Sequence, residues 1–335
     1  MANELIQTGQ KVFIIDHQHQ GASSKVAAGL INPITGRRFV KSWMIDDLLP
    51  IAIETYQQFE NDLNISILHR RNIYRALIDP GNENDWTIRK TYPEFTTYMG
   101  NQLEASNFPK GITAPYQIGE QLQSLQIDIP QLITAFYQKQ KNQNQIESAL
   151  FDFDQLELTK DGVNYQGIKA KKIIFCEGHQ TIRNPWFNYL PFVLAKGEVL
   201  IIKAPELNLN YIYKNQTTIA PLGNDLYWIG STYDWKFEND DPTEDGKKKL
   251  LKQLNQDIKV PFEIVSHQAA IRPTVKDRRP LLGKHPEFQQ LAIFNGLGTK
   301  GASLGPYWAK KMTEFLLNET TLEKEINIDR FHVKE

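Results

Sequence analysis

The chain has 335 residues, which exceeds the usual size of one hydrophobic core and favours two domains. Its 38 basic and 39 acidic residues nearly cancel, which argues against nucleic acid or an anionic membrane surface as a partner. Cys176 is the single cysteine, so intrachain disulfides and thiolate metal clusters are excluded and a cytoplasmic location is expected. The apolar residues before Cys176 predict that its side chain is buried. No run of about 18 apolar residues predicts a membrane span.

The N-terminal residues predict the end of a helix followed by a buried strand. Residues 2–9 resemble the last turns of a helix that stops at Gly9. Residues 12–16, Val-Phe-Ile-Ile-Asp, then form a strand with Asp16 at its carboxyl end, where doubly wound sheets bind ligands. A carboxylate there can bind a pair of ribose hydroxyls. The alternative is an ordinary buried strand that ends in a solvated aspartate, which has the same sequence pattern.

Small residues after this strand favour a dinucleotide site, because they let the backbone approach a large flat ligand closely. They are Gly21, Ala22, Ser23, Ser24, Ala27, Ala28 and Gly29. In a dinucleotide-binding unit, a first strand and a G-x-G-x-x-G turn precede the helix. Only fifteen residues precede Asp16, so we expect the natural reading frame to begin a few tens of residues upstream.

The next segments predict a long helix, a strand and an irregular excursion. Apolar residues recur with helical period from Ile45 to Leu63, with Pro50 near the helix start. Residues 67–78 are strand-like and residues 79–82 predict a turn. Residues 84–119 are aromatic, polar and irregular, which suggests that the chain enters a second domain there.

The middle of the chain predicts one further helix and then mostly strands. Asp128 caps a helix, residues 156–165 form a hairpin, and the strand at 168–177 runs into Gly178. Residues 194–265 predict an antiparallel sheet interrupted by a helix at 243–257. Aromatic residues of this segment either pack the sheet or wall a substrate cavity; they are Tyr211, Tyr213, Tyr227, Trp228, Tyr233 and Trp235.

The last segment combines a polar loop, a strand and a glycine-rich turn. Residues 271–283 form a loop with two prolines, and residues 291–294 form a strand. Residues 295–302, Asn-Gly-Leu-Gly-Thr-Lys-Gly-Ala, then lead into an amphipathic helix. Such a turn presents free amides and the positive end of a helix dipole.

Four separated motifs together resemble the D-amino-acid oxidase family of flavin-dependent oxidoreductases. This family includes glycine and sarcosine oxidases and the oxidase half of the bifunctional enzyme that modifies wobble uridine in tRNA. The motifs are residues 12–16 with 27–33, Phe-Cys-Glu-Gly at 175–178, Ile-Arg-Pro at 271–273 with Asp277, Pro280 and Gly283, and the glycine-rich turn at 295–301. They span nearly the whole chain.

The resemblance implies an α/β fold with a Rossmann-like FAD-binding domain and a second, antiparallel-sheet α+β substrate domain. The FAD-binding domain would be discontinuous, with residues 1–83, 120–190 and 266–335, and the substrate domain would take residues 84–119 and 191–265. FAD is the implied cofactor. The departure from the family pattern is the missing first strand with its G-x-G-x-x-G.

The resemblance also implies a role for individual residues. Asp16 would bind the adenosine ribose, and Arg272 would hold a substrate carboxylate. The residues expected along the pyrophosphate and the isoalloxazine are Ser23, Ser24, Ala28 and Gly29. Gly178 would pass close to the cofactor. Gly298 and Gly301 would approach the pyrimidine edge of the flavin.

Chemistry supports a role for two cationic side chains. Reduction of a flavin leaves negative charge near N1 and the C2 carbonyl, which amides at a helix N-terminus and the ammonium of Lys300 would stabilise. Arg272 offers a planar fork that matches a carboxylate. Both could instead be solvated surface residues. His17, His19 and His179 do not form a metal-ligand pattern, so no metal is expected.

The predicted function is the FAD-dependent oxidation of a C–N bond in a small amine or amino acid by hydride transfer to flavin N5. A truncated flavin-fold protein without catalysis is one alternative. Action on a modified tRNA nucleoside is another; it would need a basic face formed by Arg37, Arg38, Lys41, Arg278 and Arg279. The sequence does not specify the substrate, the electron acceptor or the oligomeric state.

Overall fold

The computed structural model describes residues 1–103, 108, 110–113, 115–318 and 320–331. The chain forms two compact units. Unit 1 comprises Met1–Lys25, Gln131–Ala195 and Ile271–Glu335, and unit 2 comprises Val26–Pro130 and Lys196–Ala270. Parts of the predicted domains, residues 104–107, 109, 114, 319 and 332–335, lie outside the described residues.

The units differ from the predicted domains in where residues 26–83, 120–130, 191–195 and 266–270 belong. Residues 26–83, 120–130 and 266–270 are predicted to belong to the FAD-binding domain but lie in unit 2, and residues 191–195 are predicted to belong to the substrate domain but lie in unit 1. The reason is strand pairing, because residues 73–77 are an interior strand of the large sheet of unit 2. The pairing of a strand with partners from distant parts of the chain cannot be predicted from its local sequence pattern.

The helices follow the apolar periodicity of the sequence. Their bounds are α1 Ala2–Gln7, α2 Ile45–Leu63, α3 Pro80–Lys90, α4 Ile129–Asn142, α5 Glu244–Asp257 and α6 Gly301–Asn318. Side-chain caps fix two of the starts: Asp79 accepts from the backbone N–H of Asn82 (2.7 Å) and Thr243 from that of Gly246 (3.1 Å). Across the described residues, no helix is both long and apolar enough to span a membrane.

Unit 1 contains three small sheets. Their strands are β1 Ile14–Ile15, β10 Ile146–Glu147, β11 Leu156–Thr159, β12 Gly162–Tyr165, β13 Ile168–Ala170, β14 Ile173–Phe175, β20 Leu281–Lys284 and β21 Leu291–Asn295. β1 pairs with β10 in parallel, β11 to β13 form a meander, and β21 lies between β14 and β20. The parallel pair β14–β21 brings the carboxyl ends of two strands to one sheet edge.

Unit 2 is built on an eight-stranded sheet with the order β19-β15-β18-β17-β16-β6-β8-β7. The strands of unit 2 are β2 Leu30–Ile31, β3 Ile34–Thr35, β4 Val40–Lys41, β5 Leu68–Arg70, β6 Ile73–Leu77, β7 Met99–Leu103, β8 Gln117–Gln121, β9 Leu125–Ile127, β15 Ala195–Lys203, β16 Ile212–Lys214, β17 Thr218–Gly223, β18 Leu226–Gly230 and β19 Glu263–Arg272. β15 and β19 each continue into unit 1 at one end.

Each unit has its own core. In unit 2, one face of the large sheet carries Leu200, Tyr213 and Ile229, which are fully buried with Leu250 and Leu254 of α5. In unit 1, aromatic residues dominate, and the ring of Phe175 packs against Phe151 and Phe187 within 6 Å. These cores hold the loops at the sheet edges in fixed positions.

Several local predictions differ from the structure. Residues 67–78 form two strands of different sheets, β5 and β6, and residues 168–177 likewise form β13 and β14. Residues 79–82 begin α3 rather than forming an isolated turn, because Pro80 occupies the first helical position, where its missing amide costs nothing. Trp86, within the stretch predicted to be irregular, is completely buried on α3.

Candidate functional site

Asp16 follows β1 at the sheet edge, as the sequence predicts, and it is paired with a nearby side chain. Its Oδ1 accepts from the backbone N–H of His19 (2.6 Å), and its Oδ2 lies 2.6 Å from His19 Nδ1. Burial opposes ionisation, but these contacts prevail and lower the pKa of Asp16. Each carboxylate oxygen has a second lone pair, so this carboxylate can still accept from a diol.

The small residues predicted along the cofactor divide between the two units. Ser23 and Ser24 lie in unit 1, in a single 3₁₀ turn, Ser23–Lys25. Ala28 and Gly29 lie in unit 2. Gly29 has φ +66°, and a Cβ there would stand 1.8 Å from the carbonyl oxygen of Ile127. Glycine is therefore required at position 29 by the packing of unit 2 itself.

Gly178 and the glycine-rich turn are joined directly through Asn295. The Asn295 side chain is buried, and its Nδ2 donates to the carbonyl of Gly178 (2.8 Å) and to Thr181 Oγ1 (2.6 Å). Gly296 in turn donates its N–H to Asn295 Oδ1 (2.8 Å). One amide side chain therefore fixes the turns that follow β14 and β21, and it brings two of the predicted motifs together.

The turn at residues 296–301 runs into α6 and contacts the segment after β19. Gly298 has φ +55°, and a Cβ there would lie 3.2 Å from Cγ2 of Thr274. The backbone N–H of Thr274 bonds the carbonyl of Arg272 (2.9 Å). Three predicted motifs, those of Gly178, Arg272 and residues 296–301, are thus neighbours in unit 1.

Two of the predicted site residues are cationic and belong to these segments. Arg272 is the last residue of β19 and is half-buried. Lys300 immediately precedes α6, and its pKa is lowered by burial and then by the charges of Arg279 and Arg278. Lys300 is therefore a partly buried residue in a basic neighbourhood and not a solvated surface lysine.

Glu177 is a titratable residue of the motif at residues 175–178 for which no role is predicted. It lies between β14 and Gly178, and burial raises its pKa to about 7. Asn184 Nδ2 donates to its Oε2 at 2.8 Å, which opposes this shift only in part. Its position directly after an apolar strand could have indicated the raised pKa, since a carboxyl group there is partly withdrawn from water.

Cys176 differs from the sequence expectation. The apolar run before it predicts a buried side chain, whereas Cys176 is exposed. It directly follows β14, whose single partner in this sheet is β21, and a residue at the end of an edge strand is not covered by a further strand.

A comparison with protein families decides the assignment. The sequence matches the family described as "DAO: FAD dependent oxidoreductase" across residues 1–315. The chain belongs to this family. FAD is accordingly its cofactor, and the expected fold class is confirmed by solved structures of the DAO family.

Two characterised relatives match parts of the chain. Glycine oxidase from Bacillus subtilis is 26% identical over 147 residues, which is 42% of this chain and 38% of that protein. The tRNA 5-methylaminomethyl-2-thiouridine biosynthesis bifunctional protein from Idiomarina loihiensis is 23% identical over 177 residues, which is 49% of this chain and 29% of that protein. The matched regions thus span well under half of these relatives.

Solved structures match nearly the whole chain. Glycine oxidase from Geobacillus kaustophilus has a TM-score of 0.79 at 19% identity and covers 99% of this chain and 95% of its own. Glycine oxidase from Bacillus cereus gives 0.77 at 18% identity, with 96% and 92% covered. Iminodiacetate oxidase from Chelativorans sp. gives 0.74 at 18% identity, with 97% and 95% covered. At these identities the likeness concerns the fold.

The residues of unit 1 fit an FAD molecule. A Cβ built at Gly178 or at Gly301 would meet nothing within 4 Å, so there is open space beside both turns. The first turn of α6 presents backbone amides, which suit a polar ring edge or an anion. The lowered pKa of Asp16 favours an ionised carboxylate, which would suit ribose hydroxyls.

The basic face that a tRNA substrate would need is only partly free. Lys41 Nζ lies 2.5 Å from Asp46, and Arg279 Nε lies 3.0 Å from Glu325. Both cations are thus neutralised locally. Arg37, Arg38 and Arg278 are exposed.

Proposed function

We propose that this chain oxidises the C–N bond of a small amine or amino acid with FAD as its cofactor. The observation that carries the proposal is the meeting, in unit 1, of the Gly178 turn, the 296–301 turn and the segment that begins at Arg272. The likeness to glycine oxidases and an iminodiacetate oxidase supports it. These enzymes are named for substrates that contain an amine and a carboxylate.

Unit 1 is proposed as the FAD-binding domain and the large sheet of unit 2 as the substrate domain. A cytoplasmic location remains part of the proposal, from the single cysteine. In unit 1, Asp16 would accept from the ribose hydroxyls, Ser23 and Ser24 would lie along the pyrophosphate, and Gly178 would let the backbone approach the cofactor. Ala28 and Gly29, which lie in unit 2, remain predicted cofactor residues from the family resemblance alone.

The side chains have distinct tasks in the proposed reaction. The chemistry that FAD supplies when bound is acceptance of a hydride from the substrate α-carbon. Arg272 binds the substrate carboxylate through its planar fork and thereby orients the α-carbon. The ammonium of Lys300 and the backbone amides of Gly298 and Gly301 stabilise negative charge at the pyrimidine edge.

The first experiment is an absorption spectrum of the purified chain after addition of FAD and removal of the excess. Flavin bands that stay with the protein are expected. Glycine, sarcosine and iminodiacetate are then added without oxygen, and at least one of them is expected to bleach the visible flavin band. Retained FAD that no amine reduces would favour the non-catalytic alternative.

The Arg272→Ala variant tests the anchor for the substrate. It should lower kcat/KM for carboxylate-bearing amines by about 10- to 100-fold, since charge-assisted hydrogen bonds contribute about 1.5–3 kcal/mol. FAD retention should not change. Arg183→Ala, at an exposed position of unit 1, is the matched control. Unchanged kinetics in Arg272→Ala would disprove the assigned role.

Action on a tRNA nucleoside is the second candidate, and the relative from Idiomarina loihiensis favours it. The flavin absorption assay described above distinguishes it from the small-amine proposal. Reduction of the flavin by undermodified tRNA, with binding that weakens steeply as salt is raised, would replace the small-amine proposal.

A further inference from the structure

Two cationic side chains lie side by side on one face of the large sheet of unit 2. β6 and β16 pair in parallel, and Arg75 is the register partner of Lys214. Paired residues of neighbouring strands point to the same face, about 5 Å apart. Ile73 and Ile212, two residues earlier on each strand, share that face and form an apolar cluster with Ala220.

This pair has no acceptor among the described residues. Arg75 Nη1 is completely buried and makes no hydrogen bond there. Lys214, also largely withdrawn from water, forms no ion pair with any described carboxylate. A buried guanidinium nitrogen without an acceptor is costly, so it marks a place that a ligand can satisfy.

Other buried cations of unit 2 have acceptors within the chain. Lys196 Nζ lies 3.7 Å from the buried Glu198 Oε1, and Arg71 Nη1 donates to the carbonyl of Pro221 at 2.7 Å. The side chains at positions 75 and 214 lack this compensation. Burial and the charge of Arg75 lower the pKa of Lys214 to about 8, which agrees with an uncompensated pair.

Packing holds the arginine in place. Its Cζ lies 4.9 Å from the ring centre of Phe39, a cation–π contact. Phe39 is completely buried and packs edge-on against Trp86, with ring centres 5.2 Å apart. The guanidinium is therefore supported from beneath by aromatic rings, and its orientation does not depend on a polar partner.

We propose that Arg75 and Lys214 form a binding site for the carboxylate of a small organic acid. A guanidinium fork beside an ammonium matches the two oxygens of a carboxylate. The neighbouring residues Ile73, Ile212 and Ala220 are apolar and buried, so the pair lies in poorly hydrated surroundings that disfavour a fully hydrated inorganic anion. This site is independent of the reaction proposed above, since it requires neither FAD nor Arg272.

The test is a calorimetric titration of the full chain with propionate at constant ionic strength. Saturable binding is expected. Arg75→Gln and Lys214→Gln should each weaken it at least tenfold, whereas Lys214→Arg should retain most of it. Arg70→Gln and Lys203→Gln, at exposed positions of unit 2, are the matched controls and should leave it unchanged.

Inorganic phosphate is the competing probe. Weaker binding of phosphate than of propionate supports the proposal. Two results with the wild-type chain would overturn the proposal. One is the absence of saturable propionate binding, and the other is phosphate binding at least as tight as that of propionate. Equal weakening by all four glutamine variants would also overturn it, because the effect would then reflect net charge and not this pair.

Discussion

At the scale of single residues, carboxyl groups of the same type behave differently because their partners differ. Asp16 has a lowered pKa, since the contacts with His19 outweigh burial. Asp257 and Glu177 have raised pKa values, about 6 and about 7, since burial outweighs their hydrogen bonds. Asp16 and Glu177, both in unit 1, therefore have pKa values that are shifted in opposite directions.

Glu177 should make the folding stability depend on pH. Its pKa in the folded chain, about 7, lies above the ordinary value of 4.5, so the folded state binds the proton more tightly. Its contribution is fully present below pH 4.5 and is lost as the pH rises through 7. Glu177→Gln should therefore flatten the fall in melting temperature across this range.

The control for this prediction is Glu206→Gln, at an exposed position. It should leave the pH profile of the melting temperature as it is in the wild-type chain. An unchanged slope in Glu177→Gln would show that Glu177 is well solvated and that another group produces the dependence.

At the scale of elements, one glycine determines how two short strands approach each other. Gly29 precedes β2, and its carbonyl accepts from the N–H of Ile127 at the end of β9 (2.9 Å). The distance of 1.8 Å between a Cβ built at position 29 and the carbonyl oxygen of Ile127 leaves no room for a side chain. The pairing of β2 with β9 thus requires glycine.

Gly29→Ala should be far more destabilising than Gly36→Ala. Both glycines have positive φ values, +66° and +72°, so both variants lose about 1 kcal/mol from backbone strain. Only position 29 adds a clash with backbone, which raises its expected cost to about 3 kcal/mol or more. Urea unfolding measures both, and equal midpoints would contradict the packing argument.

Local patterns in the sequence predict individual helices and hairpins well, but they do not predict which distant segments pair. The helix at 45–63 and the hairpin at 156–165 follow from periodicity and turn chemistry, and both are present. The neighbours Arg75 and Lys214, and the link from Asn295 to Gly178, join residues more than a hundred positions apart. No local pattern specifies such pairs, so the motifs of the site were predictable but its contacts were not.

At the scale of the whole molecule, the chain passes between the two units four times. Unit 1 takes three separate segments and unit 2 takes two. The proposed cofactor residues Gly178 and Gly298 consequently belong to different segments of unit 1. The site in this unit exists only when the segments 131–195 and 271–331 have come together.

This segment order has a consequence for biosynthesis. The ribosome has synthesised all strands of unit 2 by residue 272, but β14 cannot pair until β21 is made, more than a hundred residues after it. Ile173, Ile174 and Phe175 remain unpaired during that interval, which is when nascent chains aggregate or recruit chaperones. A stalled or proteolysed chain that lacks its last 65 residues would keep most of the sheet of unit 2 and lose β21 and the turn at residues 296–301, which are part of the proposed flavin site.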